Sequence, residues 1–178
     1  MKDVFLLTIG LIISMTCRSQ DVNLPKNSEG KVEYSSVVNV DSISADILFS
    51  KAKLFITEAF KSGKDVTQLI DEATKTIIGK GTIKVEVAKM LGMVFPGYVK
   101  FTVTISSKEG RYKYIFTNFI LDYQGGTSQP RIEASLDNEN NPRTVSKKQW
   151  AFVKGQVNET ILLMIKDLKS TMQKNEEW

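Results

Sequence analysis

Hydrophobic positions change their spacing several times along the chain, and each change marks an element. Val32, Tyr34, Val37, Val38 and Val40 form a β-branched, aromatic run that predicts a first strand, with a change of phase near Ser35-Ser36 that predicts a bulge. Leu48, Ala52, Phe55, Ile56, Ala59 and Phe60 then fall at i, i+4, i+7, i+8, i+11 and i+12, which is one apolar face of a helix opposite Lys51, Lys53 and Glu58. Asp41, Ser42 and Ser44 offer capping oxygens at its start, and Gly63 is expected to end it. Residues 64–74, in which Asp65, Thr67, Asp71 and Glu72 surround Val66, Leu69 and Ile70, read as a short helix or an irregular connector.

Alternation follows. Ile77, Gly79, Gly81, Ile83, Val85 and Val87 share one parity, and glycines on the apolar side of a strand allow a helix to approach closely. Residues 90–97, apolar but punctuated by Gly92, Pro96 and Gly97, are expected to be a loop with a buried or partner-facing side. Phe101, Val103 and Ile105 on one side of Lys108-Glu109-Gly110, and Tyr112, Tyr114 and Phe116 on the other, predict a hairpin. Phe119, Leu121 and Tyr123 have shifted parity, as a bulge at Asn118 would require. Gly125-Gly126 should end the sheet segment; beyond it lies a polar loop with a possible short strand at Ile132 to Leu136.

Ser146 and Gln149 have the spacing of a capping box, in which each side chain satisfies the other residue's free amide. Trp150, Val153, Val157, Ile161, Met164, Leu168 and Met172 continue at spacings of three and four, so a long amphipathic helix should run to about Lys174. Its stripe is expected to pack on the sheet, with Gly155 suiting a close crossing or a partner. The fold class is therefore α+β: an antiparallel sheet with two long helices on one face, in the order β-α-β-β-β-(β)-α.

Composition changes this picture at the N-terminus. Lys2, the apolar run Val4 to Met15 and the small or polar residues after it read as an export signal over residues 1–19, followed by a flexible lead-in at 20–30 and a single domain over 31–175. Cleavage after Ser19 gives a soluble exported or periplasmic chain without cysteine, whereas acylation of Cys17 gives a lipoprotein tethered to a membrane. Either way no disulfide can form within the chain. Removing the leader takes away two of 24 basic and one of 20 acidic residues, leaving a net charge of +3, too mild to call for nucleic acid as a partner.

The run Ile77-Ile78-Gly79-Lys80-Gly81, the strand from Tyr98 to Ile105 and Ser107-Lys108-Glu109-Gly110-Arg111-Tyr112-Lys113-Tyr114, following a helix that starts at Ser44, resemble a family of exported Bacteroidota proteins. That family is a domain of unknown function with a fold like that of the TATA-box-binding protein. The resemblance covers roughly Val37 to Tyr123 and implies a curved antiparallel sheet covered by helices. It brings no activity or catalytic residue, and fold does not imply function.

The chemistry available is narrow. With no histidine and one cysteine in the leader, no Ser-His-Asp triad, Cys-His pair or histidine zinc site can be built. Serine and lysine coexist, yet no spacing singles out a dyad. Gly79-Lys80-Gly81-Thr82 lacks the upstream glycine, the Lys-Ser/Thr step and the following helix of a phosphate loop. Asp137 to Asn141 carries oxygen donors but not the glycine and closing glutamate of a calcium loop. Asn158-Glu159-Thr160 matches a glycosylation sequon in mid-helix, where it reads as coincidence. No catalytic, cofactor-binding or metal site is assigned.

The expectation is a non-enzymatic envelope domain that binds a protein or small ligand through its sheet or the 90–97 segment, with Met90, Met93, Phe95, Tyr98, Tyr112 and Tyr114 as the candidate surface. The alternatives are an envelope hydrolase or transferase using Asp65, Asp71 or Glu72, and a structural subunit of an envelope assembly. Membrane attachment is expected only through Cys17.

Overall fold

The computed structural model describes residues 22–60, 66–125 and 130–173. Strand β1 (Tyr34–Asn39) leads into helix α1 (Ala45–Ala59); β2 (Val66–Asp71), β3 (Thr76–Met90), β4 (Met93–Lys108) and β5 (Arg111–Tyr123) follow, then β6 (Ile132–Ser135) and helix α2 (Lys147–Gln173). The sheet is antiparallel and curved, in the order β1-β5-β4-β3-β2, with β6 also paired to β5. β1 and β2 lie at opposite edges, so α1 must cross the sheet between them, and it packs on β3, β4 and β5 as it does so. β1 borders residues 111–116 of β5 and β6 borders 120–123, so two short strands share one long edge.

Both helices start where capping chemistry places them. Ser44 Oγ accepts from Ile47 N at 3.3 Å, and Glu109 Oε2, in the β4–β5 turn, accepts from Ala45 N at 3.1 Å. The capping box forms: Gln149 Oε1 accepts from Ser146 N at 2.8 Å and Ser146 Oγ from Gln149 N at 3.3 Å. α1 ends at Ala59 with Phe60 as its C-cap, while Gly63 lies outside the described residues.

The core lies between the helices and one face of the sheet. Ile77, Ile83, Val85 and Val87 of β3, Val99 to Ile105 at alternate positions of β4, and Tyr112, Tyr114, Phe116, Phe119, Leu121 and Tyr123 of β5 are all buried there. Trp150, Val153, Val157, Ile161, Ile165, Leu168 and Met172 of α2 complete it. The two strand glycines make room for α1 as their parity suggests. A Cβ on Gly81 would lie 2.4 Å from Phe101 Cζ and 2.6 Å from Phe60 Cε1, and one on Gly79 would meet Ile56 Cδ1 at 3.4 Å. Phe101 in turn stacks on Phe119 with centroids 5.9 Å apart, a contact worth roughly 0.5–1.5 kcal/mol beyond its buried area.

Several elements differ from the sequence expectation. Residues 66–71 form edge strand β2 rather than a helix or connector, adding a strand to the expected order. Residues 90–97 form no loop: β3 and β4 stay paired to Met90↔Met93 around the two-residue turn Leu91-Gly92. β1 alternates without a bulge at Ser35-Ser36, in continuous register with β5. The expected lead-in is packed from Val22 onward, because Leu24 is buried in the core and Asn27 Oδ1 accepts from Glu29 N and Lys31 N. Lys51 is buried instead of solvated, and its Nζ donates to the Met172 carbonyl at 3.2 Å, placing a cation at the negative end of α2. Among the described residues no helix crosses at Gly155; a Cβ there would meet Val22 at an ordinary 3.6 Å.

Candidate functional site

The parity that buries β3, β4 and β5 under the helices turns their other residues onto a face that no described element covers. Register fixes its rungs. Running along β4 toward the β4–β5 turn, Lys84–Tyr98–Asp122–Glu133 is followed by Thr82–Lys100–Ile120–Ser135, Lys80–Thr102–Thr117 and Ile78–Thr104–Ile115–Ser35. Thr76–Ser106–Lys113–Val37 and Lys108–Arg111–Asn39 complete it. The centre is mainly threonine and isoleucine with one lysine, Lys80, and most charges lie toward the two ends.

At the Tyr98 end two cations, Lys100 and Arg131, are paired with carboxylates. Arg131 Nε donates to Asp122 Oδ1 at 2.6 Å and Arg131 Nη2 to Asp122 Oδ2, while Lys100 Nζ lies 3.1 Å from Asp122 Oδ2 and 3.6 Å from Glu133 Oε1. The guanidinium beside Asp122 holds its carboxyl down at about 2, against the opposing effect of burial. At the other end Lys108, Arg111 and Lys113 form no ion pair with any described residue. They line a pocket of about 210 Å3 together with Val37, Ser106 and Tyr112. Sequence reading missed this cluster, although the signal was present: if Tyr112 and Tyr114 point inward, Arg111 and Lys113 must point outward.

The six candidate residues separate into groups. Met90 and Met93 are 58% and 57% exposed at the end of the β3–β4 hairpin, and Tyr98 is 43% exposed on the open face. Phe95 is half-buried against the core. Tyr112 and Tyr114 are buried beneath the helices, which removes them from any surface platform. Burial pushes the Tyr112 hydroxyl up to about 12, and neither it nor Ser107 Oγ, directly across the ladder, has a hydrogen-bond partner among the described residues.

Leu91, at the hairpin tip, is the residue that the spacing did not single out. It is 92% exposed and has φ 49°, next to Gly92 at φ 82°. Left-handed backbone at both central positions is what a two-residue type I′ turn needs, and Asn-Gly satisfies it best. Leucine is disfavoured there both by its backbone conformation and by its contact with water.

The acidic candidates do not converge. Asp71 Oδ1 accepts from Ala73 N and Thr74 N, its Oδ2 accepts from Thr74 Oγ1 at 2.7 Å, and these bonds hold its carboxyl below the usual range. Glu72 pairs with Lys53 at 3.2 Å, and Asp65 lies outside the described residues. Asp137 accepts from Val32 N at 2.8 Å, Glu139 pairs with Lys26, and Asn158 Oδ1 accepts from Tyr34 OH at 2.8 Å, so these polar groups tie segments of the fold together. Gly79 to Thr82 lie within β3, a strand and not a phosphate loop. No group of three or more acidic, histidine or cysteine residues gathers among the described residues.

A curved antiparallel sheet with both helices on one face and the other face open defines the class: this is a TBP-like α+β domain. Over residues 34–121 the chain belongs to the family described as a domain of unknown function (DUF4468) with TBP-like fold. It is similar to the crystal structure of a TBP-like protein from Parabacteroides distasonis, with a TM-score of 0.70 and 14% identity over 85% of this chain and 98% of that one. A DUF4468 family protein from Bacteroides ovatus matches with a TM-score of 0.67 and 16% identity, covering 87% of this chain and 93% of its own. At these identities the likeness concerns the fold alone. No curated protein matches the chain.

Proposed function

We propose that this chain is a non-enzymatic binding domain, exported to the cell envelope, that engages a partner through the open face of its sheet and the tip of the β3–β4 hairpin. The observation that carries this reading is Leu91: a large apolar side chain in a left-handed turn position, almost wholly in water. Positions that break a local rule without a structural gain concentrate where function demands it. Met90, Met93 and Val94 extend the exposed apolar surface around it, and apolar patches of this kind mark interaction sites. Export rests on the leader sequence, which lies outside the described residues. The acid-based hydrolase reading draws no support from Asp71 and Glu72, whose side chains are engaged in a turn and an ion pair.

The test is native mass spectrometry of the processed protein, gently extracted from its own host's envelope, beside a Met90→Ser, Leu91→Asn, Met93→Ser variant. The wild type is expected to carry a second polypeptide or a bound small mass that the variant lacks, with circular dichroism unchanged. Identical mass spectra for the two would overturn the reading.

A further inference from the structure

We infer that the basic end of the open face is a binding site for a small amphipathic oxyanion, a phosphate ester or carboxylate bearing a compact apolar group, held among Lys108, Arg111, Lys113 and Val37. The inference deepens the binding reading and rests on it only in using the same face.

Charge placement is the first argument. Lys108 and Arg111 are directly opposite one another in the ladder, and Lys113 lies one rung further on the same face. Like charges opposite each other in a sheet repel, and such a pair is disfavoured unless something neutralises it. Elsewhere on this face Lys100 and Arg131 converge on Asp122, while Lys80 and Lys84 each stand opposite a neutral residue, Thr102 and Tyr98, and not opposite another cation. Here the nearby acids are committed elsewhere. Glu109, in the turn joining the two strands, accepts from Ala45 N at the start of α1. Glu33, which feels the charge of Lys113, accepts from Asn27 Nδ2 at 3.0 Å. A bound oxyanion would relieve the repulsion, and the planar fork of Arg111 suits two oxygens at once.

Shape supplies the second argument. Val37 stands directly across from Lys113 and is 55% exposed, so an apolar wall faces the cations across the pocket of about 210 Å3. That volume is below the ~300–1,000 Å3 of pockets for drug-sized ligands, which limits the apolar part to a ring or a short chain. The pocket floor is ladder-paired backbone of β1, β4 and β5, and Gly110 at φ 65° closes the turn, so the cations stand on a rigid base.

The experiment is a titration of the full processed chain, 15N-labelled, with phenyl phosphate, benzoate, inorganic phosphate and phenol at low salt. Saturating amide shifts are expected at Val37, Ser106, Lys108, Arg111 and Lys113 with phenyl phosphate or benzoate, and weaker binding of inorganic phosphate and phenol. Whichever aryl anion binds more tightly identifies the source as phosphate ester or carboxylate. The exposed double variant Arg111→Gln, Lys113→Gln should lose about tenfold or more in affinity, as removal of charge-assisted hydrogen bonds does. Lys84→Gln, on the same face at the far end, should bind like the wild type. Shifts that never saturate, that spread over all exposed lysines, or that survive the double variant would overturn the site. Should these titrations fail while the hairpin variant still loses its envelope partner, the anion site falls and the wider binding reading stands.

Discussion

Gln156 pairs with both backbone polar groups of Glu86: Glu86 N donates to Gln156 Oε1 at 2.9 Å, and Gln156 Nε2 donates to the Glu86 carbonyl at 2.9 Å. Among the described residues β2 pairs with β3 only as far as Lys80, and the residue opposite Glu86 on β4 is Pro96, which has no N–H to give. A side-chain amide from α2 thus does for Glu86 what a neighbouring strand would do. It ties the helix to the base of the hairpin that carries Leu91.

Gln156→Ala should therefore lower stability by about 0.5–1.5 kcal/mol, the usual net loss for a hydrogen bond that water can replace. Hydrogen exchange should quicken selectively over residues 85–97, with the β4–β5 hairpin unchanged. Uniform quickening across the sheet would mean that Gln156 acts on global stability alone.

Two glycine substitutions separate close helix packing from mere strand position. Gly81→Ala would push a methyl into the Phe101 and Phe60 rings at 2.4 and 2.6 Å, and overpacking of this kind typically costs about 1–3 kcal/mol. Gly79→Ala meets Ile56 and Val103 at 3.4 Å and should cost far less. Urea unfolding of the two variants checks the order, which would be reversed or absent if α1 could simply ride outward.

The Asp122 network predicts a specific acid dependence. Its folded carboxyl titrates at about 2, below the about 3.9 of an unfolded aspartate, so the ionised form is favoured by folding. The contribution is fully present above about pH 4 and disappears as the pH falls through about 2. Wild type and Asp122→Asn should differ most at neutral pH and converge in that window, as followed by unfolding midpoints at several pH values. Salt should narrow the gap, since Arg131 and Lys100 are more than half exposed.

Most of the architecture was legible because burial is one-sided and periodic. The 77–87 and 101–123 parities and the α2 stripe each point to the face that the structure buries. β2 was hidden because an edge strand leaves both Leu69 and Ile70 about half exposed, and a register shift between Thr67 and Leu69 breaks the alternation. The 90–97 hairpin was hidden because its turn is Leu-Gly and its second strand holds Pro96 and Gly97, each of which ordinarily argues against a strand. Lys51 looked solvated from its helical position, since nothing local reveals that the last turn of α2 ends beside it. The cationic end needed register: only strand pairing brings Val37 against Lys113, 76 residues later.

Asn118, at φ 57°, is the point where β5 slips by one residue: Thr102 and Lys100 of β4 enclose a single residue, while Thr117 and Ile120 of β5 enclose two. Half a strand therefore depends on one extra residue. Pair Asn118 into a regular ladder, without the bulge, and Phe119, Leu121 and Tyr123 would face solvent while Ile120 and Asp122 turned into the core; delete it, and Thr117 and Phe119 alternate normally with both faces kept. In this strand the identity of a side chain matters less than whether its position is odd or even, so a change of length away from the bulge is a heavier lesion than most changes of residue.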